Sequence, residues 1–305
     1  MSKRLAAAVN SAFARDLLDV VERATDPADG FVKYLFRHPD GALSEAVRIP
    51  LEKPNHFTVC LSSQVGCAMG CRFCATASLG LTRNLEAWEI VSAFSIVRDE
   101  APGRVTGAVF MGQGEPLANY DEVVRACRVL SHPCGGRIDA SMITISTVGL
   151  VPQIRRFVAD GLPHRLIVSL VSAIPERRRE LLPIAGRYSL HELASVLRDY
   201  ETSCNNRVTV AWVLLSGVNT GEDEVQALVE LLGDLRLRLN LIDLNETEHA
   251  PTIFKRATEA ERQTLMDRLS TLGFPVVRRY SGGSQKHAAC GMLASLSTER
   301  LTPAP

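Results

Sequence analysis

Short apolar runs alternate with longer amphipathic ones along most of this chain. Runs at 57–62, 105–110, 142–146, 165–170, 208–215, 239–244 and 276–280 read as strands. Between them, apolar residues recur at helical spacing over 86–99, 120–130, 190–200, 222–232 and 259–272, with polar residues on the other faces. Strands so apolar, each followed by an amphipathic helix, predict a parallel sheet covered by helices. About six such units predict an α/β fold of the partial (β/α)6 barrel kind rather than a closed eight-unit barrel, with the chemistry at the C-terminal ends of the strands.

Ahead of that alternation the pattern differs. Residues 1–26 carry apolar positions at helical spacing, interrupted by Arg15, Asp16 and Asp19, which predicts a short amphipathic helix rather than a signal peptide. Asp29-Gly30 and Asp40-Gly41 are turn signals flanking β-like runs at 31–37 and 43–49, which predict a hairpin. The expected organisation is an N-terminal helix and β-hairpin extension over 1–55, a core barrel over 56–295 and a tail over 296–305. No repeat, low-complexity tract or long linker interrupts it.

Composition adds limits. The chain has 305 residues, 46% hydrophobic and 22% charged, enough for a sizeable core. Its formal net charge is +0, so any polyanion site has to be a local basic patch. No apolar run approaches the length of a membrane span, so no membrane partner is expected. Eight cysteines without an export signal point to a reducing cytoplasm, where thiols remain free as ligands and nucleophiles.

Three of those cysteines, Cys67, Cys71 and Cys74, are spaced CxxxCxxC on the loop after the 57–62 strand. Soft sulfur ligands so close together suit an iron-sulfur cluster, whereas a tetrahedral zinc site is usually signed by two CxxC pairs. Three ligands leave one metal corner open, which in the family that the spacing resembles takes the amino and carboxylate groups of S-adenosylmethionine. The spacing, with Phe73 before the last cysteine, resembles the radical S-adenosylmethionine (radical SAM) signature. The alternative is a set of buried or loosely zinc-binding cysteines. Strand ends supply further candidates: Gly114 and Glu115 in a glycine-rich turn, then Ser146, Ser169 and Asn245, each of which read alone is an ordinary cap or strand-end polar group. Cys60 precedes the first cluster cysteine on the same strand, and Cys290 sits among small residues far downstream. Cys127, Cys134 and Cys204 read as structural thiols.

Taken in order, Cys60-Leu-Ser-Ser-Gln-Val-Gly-Cys67, Cys71, Cys74, Arg83-Asn84-Leu85, Met111-Gly-Gln-Gly-Glu-Pro116, Ser146-Thr-Val-Gly149, Leu182-Pro183-Ile184, Gly217-Val-Asn219, Asn240-Leu-Ile242, Asn245 and Ala288-Ala-Cys-Gly291 resemble the RlmN/Cfr family of radical SAM RNA methylases. The resemblance implies one 4Fe-4S cluster on Cys67, Cys71 and Cys74, and S-adenosylmethionine contacts at Gly114, Glu115, Ser146, Ser169, Leu170, Val171 and Asn245. It implies two S-adenosylmethionine molecules per turnover. One methylates Cys290; the other yields the radical that takes hydrogen from that methyl, and the resulting carbon adds to carbon 2 or 8 of an adenine. Glu45, in the family's ExVxIP stretch, is then the proton acceptor, and Cys60 resolves the adduct by attacking Cys290, leaving a transient disulfide. The implied partners are rRNA or tRNA and an electron donor such as flavodoxin or ferredoxin, with the enzyme a monomer. The same chemistry on a small molecule or peptide, and a degenerate RNA-binding relative, are the rival readings.

Departures from the family pattern bear on substrate. About 30 residues precede the hairpin where members usually carry a larger helical domain, so RNA docking is expected to use other surfaces. The family's SLHA turn reads Ser169-Leu170-Val171-Ser172 here, the segment before Cys290 lacks the family's aspartate, and 50–60 is about two residues longer than usual. Arg83, Arg278, Arg279 and Lys286, with Arg177-Arg178-Arg179 as a second run, are the candidate phosphate contacts.

Overall fold

The computed structural model describes residues 18–245, 253–279 and 282–293. Strand β1 (Asp19–Thr25) occupies a stretch where the sequence pattern predicted helix; the rest of that predicted helix, 1–17, lies outside the described residues. The β-branched Val20, Val21 and Thr25 favour extended backbone, and β1 pairs antiparallel with β2 (Val32–Arg37), with a bulge between Val20 and Glu22. β2 and β3 (Leu43–Pro50) form the predicted hairpin, and β3 pairs antiparallel with β4 (His56–Leu61).

Beyond β4 come β5 (Gln64–Gly66), the single turn α1 (Ala75–Ser78) and β6 (Leu81–Asn84), with β5 and β6 pairing as a small separate sheet that the pattern had not revealed. Then follow α2 (Ala87–Asp99), β7 (Arg104–Phe110), α3 (Tyr120–Ser131), β8 (Ile143–Thr147), α4 (Val151–Ala159), β9 (Arg165–Ser169), α5 (Pro175–Leu181) and α6 (Leu190–Cys204). The series closes with β10 (Val208–Leu214), α7 (Glu222–Leu232), β11 (Leu237–Asp243), α8 (Glu259–Thr271) and β12 (Val276–Arg279). Among the described residues the large sheet has ten strands in the order β1-β2-β3-β4-β7-β8-β9-β10-β11-β12. From β4 onward every neighbouring pair is parallel, and β1 and β12 stand at opposite edges, so the barrel is partial as expected.

The helices begin where local chemistry allows. Ser189 and Glu192 at α6, and Thr258 and Glu261 at α8, close reciprocal capping boxes over otherwise unpaired N–H groups. The core lies between sheet and helices, where Phe94, Phe110, Phe157, Ile143 and Tyr200 are essentially inaccessible to solvent. Burying each such side chain contributes on the order of 1.5–3 kcal/mol. No helix among the described residues is long and apolar enough to cross a membrane.

Candidate active site

The cluster loop leaves β5 through Gly66, at φ +75°, where a Cβ would stand 1.9 Å from the Gly80 carbonyl oxygen. Only glycine fits that close approach, and the turn it permits brings the Cys67 N–H onto the same carbonyl at 2.8 Å. Two contacts tie the loop to distant chain: Arg72 N–H donates to Leu181 O at 3.1 Å, and Ala75 N–H to Gly291 O at 2.7 Å. Cys67, Cys71 and Cys74 thereby line one cavity of about 970 Å³, shared with Gly114, Glu115, Ser146, Ser169, Asn245 and Cys290. Of these, Gly114, Glu115, Ser146, Ser169 and Asn245 are the strand-end candidates of the sequence. Cys290, placed by a hydrogen bond from Asn245 Nδ2 to its carbonyl at 3.0 Å, also lines a second cavity of about 450 Å³ together with Cys60.

Burial dominates the electrostatics. It pushes the Cys67 thiol up to about 11 and Cys71 well above its ordinary value, with the neighbouring thiols adding to the Cys71 shift. Cys74 is raised by the same burial. Cys60 is pushed up to about 12 by burial first and by the proximity of Cys290 second, while Arg279 opposes both. Glu115 is buried and driven up to about 7, against hydrogen bonds from the Val148 N–H at 2.8 Å, Thr147, and the Leu117 N–H at 3.0 Å. A buried carboxylate beside three clustered thiols favours a cationic guest. The turn before it requires glycine: Gly114 has φ +97°, and a Cβ there would meet Gln64 Cβ at 2.6 Å and Ser63 Oγ at 2.8 Å.

Three predicted residues stand off the cavity. Leu170 and Val171 are wholly buried in the packing behind the end of β9. Glu45 lines neither cavity; its side chain is inaccessible, ion-paired to Lys33 Nζ at 3.2 Å and accepting from Gln113 Nε2 at 3.1 Å. The structure adds Asp243 and Met111 to the cavity wall. Asp243 ends β11, and its carboxylate takes hydrogen bonds from Arg256, Arg262 and Arg278. Its place at a strand's C-terminal end was the available signal. Several expected phosphate contacts are otherwise engaged: Arg83 binds Asp40 and Glu89, Arg177 binds Asp223 and Glu224, Arg179 binds Glu176, and Arg178 is buried.

Residues 61–232 match the Radical SAM superfamily. A probable RNA methyltransferase of Anaeromyxobacter sp. (strain Fw109-5) is 50% identical over 275 residues, covering 89% of this chain and 80% of the relative. The dual-specificity RNA methyltransferase RlmN of Syntrophobacter fumaroxidans is 41% identical over 282 residues, covering 92% and 81%. This chain belongs to the RlmN family of radical SAM methyltransferases. A radical SAM methyltransferase from Sphaerobacter thermophilus superposes with a TM-score of 0.90 at 36% identity, covering 97% of this chain and 86% of that one. SuiB of Streptococcus suis, at 14% identity, 77% and 52% coverage and a TM-score of 0.54, shares the fold alone.

Membership in the RlmN family implies a 4Fe-4S cluster and S-adenosylmethionine, and the residues fit both. Among the described residues no three His, Cys, Asp or Glu side chains converge on a single metal ion, yet Cys67, Cys71 and Cys74 share one cavity lining. That is the arrangement a cluster needs, because each cysteine ligates a different iron. Glu115, held in place by backbone N–H donors, suits the ammonium of S-adenosylmethionine.

Proposed function

We propose that this RlmN-family enzyme methylates an adenine carbon in RNA, carrying the methyl group on Cys290 and releasing the product with Cys60. The observation that carries the reading is that Cys290 lines both cavities, the one that holds the three cluster cysteines and the one that holds Cys60. RNA enters because similar proteins are named RNA methyltransferases.

In this reading Cys67, Cys71 and Cys74 hold the cluster, while Gly114, Glu115, Ser146, Ser169, Asn245 and the backbone at Leu170 and Val171 seat S-adenosylmethionine. Bound there, the two cofactors supply a carbon-centred radical able to take hydrogen from an S-methyl group. Cys290 first accepts a methyl group from one S-adenosylmethionine, a second is spent in the radical step, and each turnover therefore uses two. The carbon tethered to Cys290 adds to the electrophilic amidine carbon, position 2 or 8, and joins enzyme and RNA covalently. Glu45 accepts the proton of the substrate carbon, exchanging Lys33 or Gln113 for the substrate as it does so, and the unpaired electron left on the adduct would be taken up by the oxidised cluster that Cys67, Cys71 and Cys74 hold. Cys60, as thiolate, then attacks the Cys290 sulfur; the bond from that sulfur to the transferred carbon breaks, the carbon takes up a proton and becomes the methyl group of the RNA, and a thiol reductant reduces the resulting disulfide to restore the enzyme. A paired adenine has to turn out of its stack to reach the cavity, with Arg279 and Lys286 as phosphate contacts and Arg278 joining them by exchanging Asp243 for the phosphate. The enzyme acts on rRNA or tRNA as a cytoplasmic monomer, with flavodoxin or ferredoxin as electron donor.

The test is peptide mass spectrometry of anaerobically reconstituted protein after incubation with S-adenosylmethionine alone. A methyl group on Cys290 is expected. An unmodified Cys290 in protein with an intact cluster would overturn the reading.

A further inference from the structure

Arg178 is a charge that the reaction scheme above does not use. It is 3% exposed, on the inward face of α5. Its Nη2 donates to two backbone carbonyls, Val148 O at 2.7 Å and Ser169 O at 3.4 Å, so it bridges the ends of β8 and β9 beside the cavity. Its Nε is buried without a hydrogen-bond partner. The arginines on either side behave differently: Arg177 pairs with Asp223 and Glu224, and Arg179 with Glu176. No carboxylate pairs with Arg178 among the described residues, and Val148 and Ser169, whose carbonyls it holds, line the same cavity as the thiol of Cys71.

Burying a guanidinium without a counter-ion is strongly unfavourable, because two carbonyl dipoles replace only part of its hydration. Consistent with that, desolvation holds it down at about 10, well below the usual arginine range. The same α5 is fastened to the cluster loop, since Leu181 O accepts from the Arg72 N–H at 3.1 Å and Gly70 packs on Pro183. A fixed cation with a missing anion, held on the wall of the cavity that the three thiols line, is complementary to a cluster held by thiolates.

We propose that Arg178 is the built-in counter-charge of the iron-sulfur cluster, a positioning residue that favours cluster assembly and makes the cluster easier to reduce. One-electron reduction adds negative charge to an already anionic centre, and a cation held at short range in a dry site stabilises the reduced form more than the oxidised one. The inference rests on the cluster and is independent of RNA as substrate.

Arg178→Gln keeps amide donors and removes the charge; Arg178→Lys keeps the charge and loses the fork. Each full-length variant is reconstituted anaerobically and titrated with dithionite, following the reduced cluster by electron paramagnetic resonance, with and without S-adenosylmethionine. Thermal melting of the cluster-free chains is measured in parallel. The expected result is a more negative midpoint potential for Arg178→Gln without S-adenosylmethionine, substantially restored in Arg178→Lys, while cluster-free Arg178→Gln melts no lower than wild type. Failure of Arg178→Gln to hold a cluster that Arg178→Lys retains supports the same role. An unchanged potential with lowered melting would show a hydrogen-bond clamp and overturn the proposal. So would a shift seen only with S-adenosylmethionine bound, which would assign the charge to that molecule's carboxylate, or the loss of the cluster in both variants.

Discussion

At the scale of single residues, Glu115 shows how backbone prepares a side chain. Its two oxygens already accept from the Leu117 and Val148 N–H groups, so the carboxylate is fixed before any ligand arrives, and burial leaves it short of positive charge. A charge-assisted hydrogen bond contributes about 1.5–3 kcal/mol. Glu115→Gln is therefore expected to weaken S-adenosylmethionine binding roughly 10- to 100-fold while leaving cluster absorbance intact, read by equilibrium dialysis of the reconstituted protein. Undiminished affinity would remove Glu115 from the cofactor site. Gly114→Ala should be worse, because strain at φ +97° and contacts under 3 Å with Gln64 and Ser63 dislodge the whole turn. Cys67, Cys71 and Cys74, and the Gly114-Glu115 turn, were legible in the sequence because their spacing is local. The Lys33–Glu45 pair and the isolation of Arg178 were not, since each depends on which distant chain packs alongside.

At the scale of elements, the hairpin is locked to α2 by a buried polar joint. His38, at the end of β2, binds Glu89 through Nδ1 and Ser44 through Nε2 at 2.8 Å; Arg83 then binds Glu89 and carries the chain of contacts out to Asp40. His38, Ser44 and Glu89 are all buried and line neither cavity described above, so the trio reads as a fastening rather than a nucleophile site. Burial pushes the Glu89 carboxyl up, but hydrogen bonds from His38, Arg83 and the Glu86 N–H together outweigh it and hold the group at about 2, below its ordinary 4.5. Because the folded value is the lower one, this stabilisation is complete above about 4.5 and is lost as pH falls towards 2. Glu89→Gln is expected to cost about 3–5 kcal/mol at neutral pH and to flatten that acid limb of the denaturation profile. An unaltered acid limb in urea melts would contradict the role. The joint also explains what the pattern of apolar positions conveyed. Parallel strands are buried on both faces and announce themselves. By contrast β1 is an edge strand whose Val20 and Val21 suit either period, α5 has Leu181 as its single apolar core residue, and β5 and β6 are too short to show a period.

At the scale of the whole molecule, the fold brings together two thiols that lie at opposite ends of the core. Cys60 is carried by β4, in register with Val47 of β3 and Val109 of β7, so its position is set by the sheet. Cys290 is carried by the C-terminal segment, which is sewn to the turn between β1 and β2 by Gly283 N–H on Asp29 at 2.8 Å and Gln285 N–H on Asp26 at 3.1 Å. On the cluster side, Thr76 Oγ1 on Leu293 O at 2.7 Å completes the attachment. Buried and pushed up to about 12, Cys60 is almost wholly a neutral thiol near pH 7, although Arg279, whose Nη1 reaches Met111 Sδ at 2.7 Å in the same cavity, favours the thiolate. Since the thiolate is the nucleophile, release of a Cys290-linked RNA adduct should quicken about tenfold per pH unit over the range where Cys60 stays protonated. Adduct formation makes no demand on Cys60 and should not follow that slope. The check is a single-turnover experiment across pH with the RNA end-labelled, counting protein-linked label on denaturing gels against time. Wild type is expected to show a transient adduct that shortens as pH rises, Cys60→Ala a persistent one at every pH, and Cys290→Ala none with its cluster retained. An adduct that clears from Cys60→Ala at the wild-type rate would mean that another group resolves it.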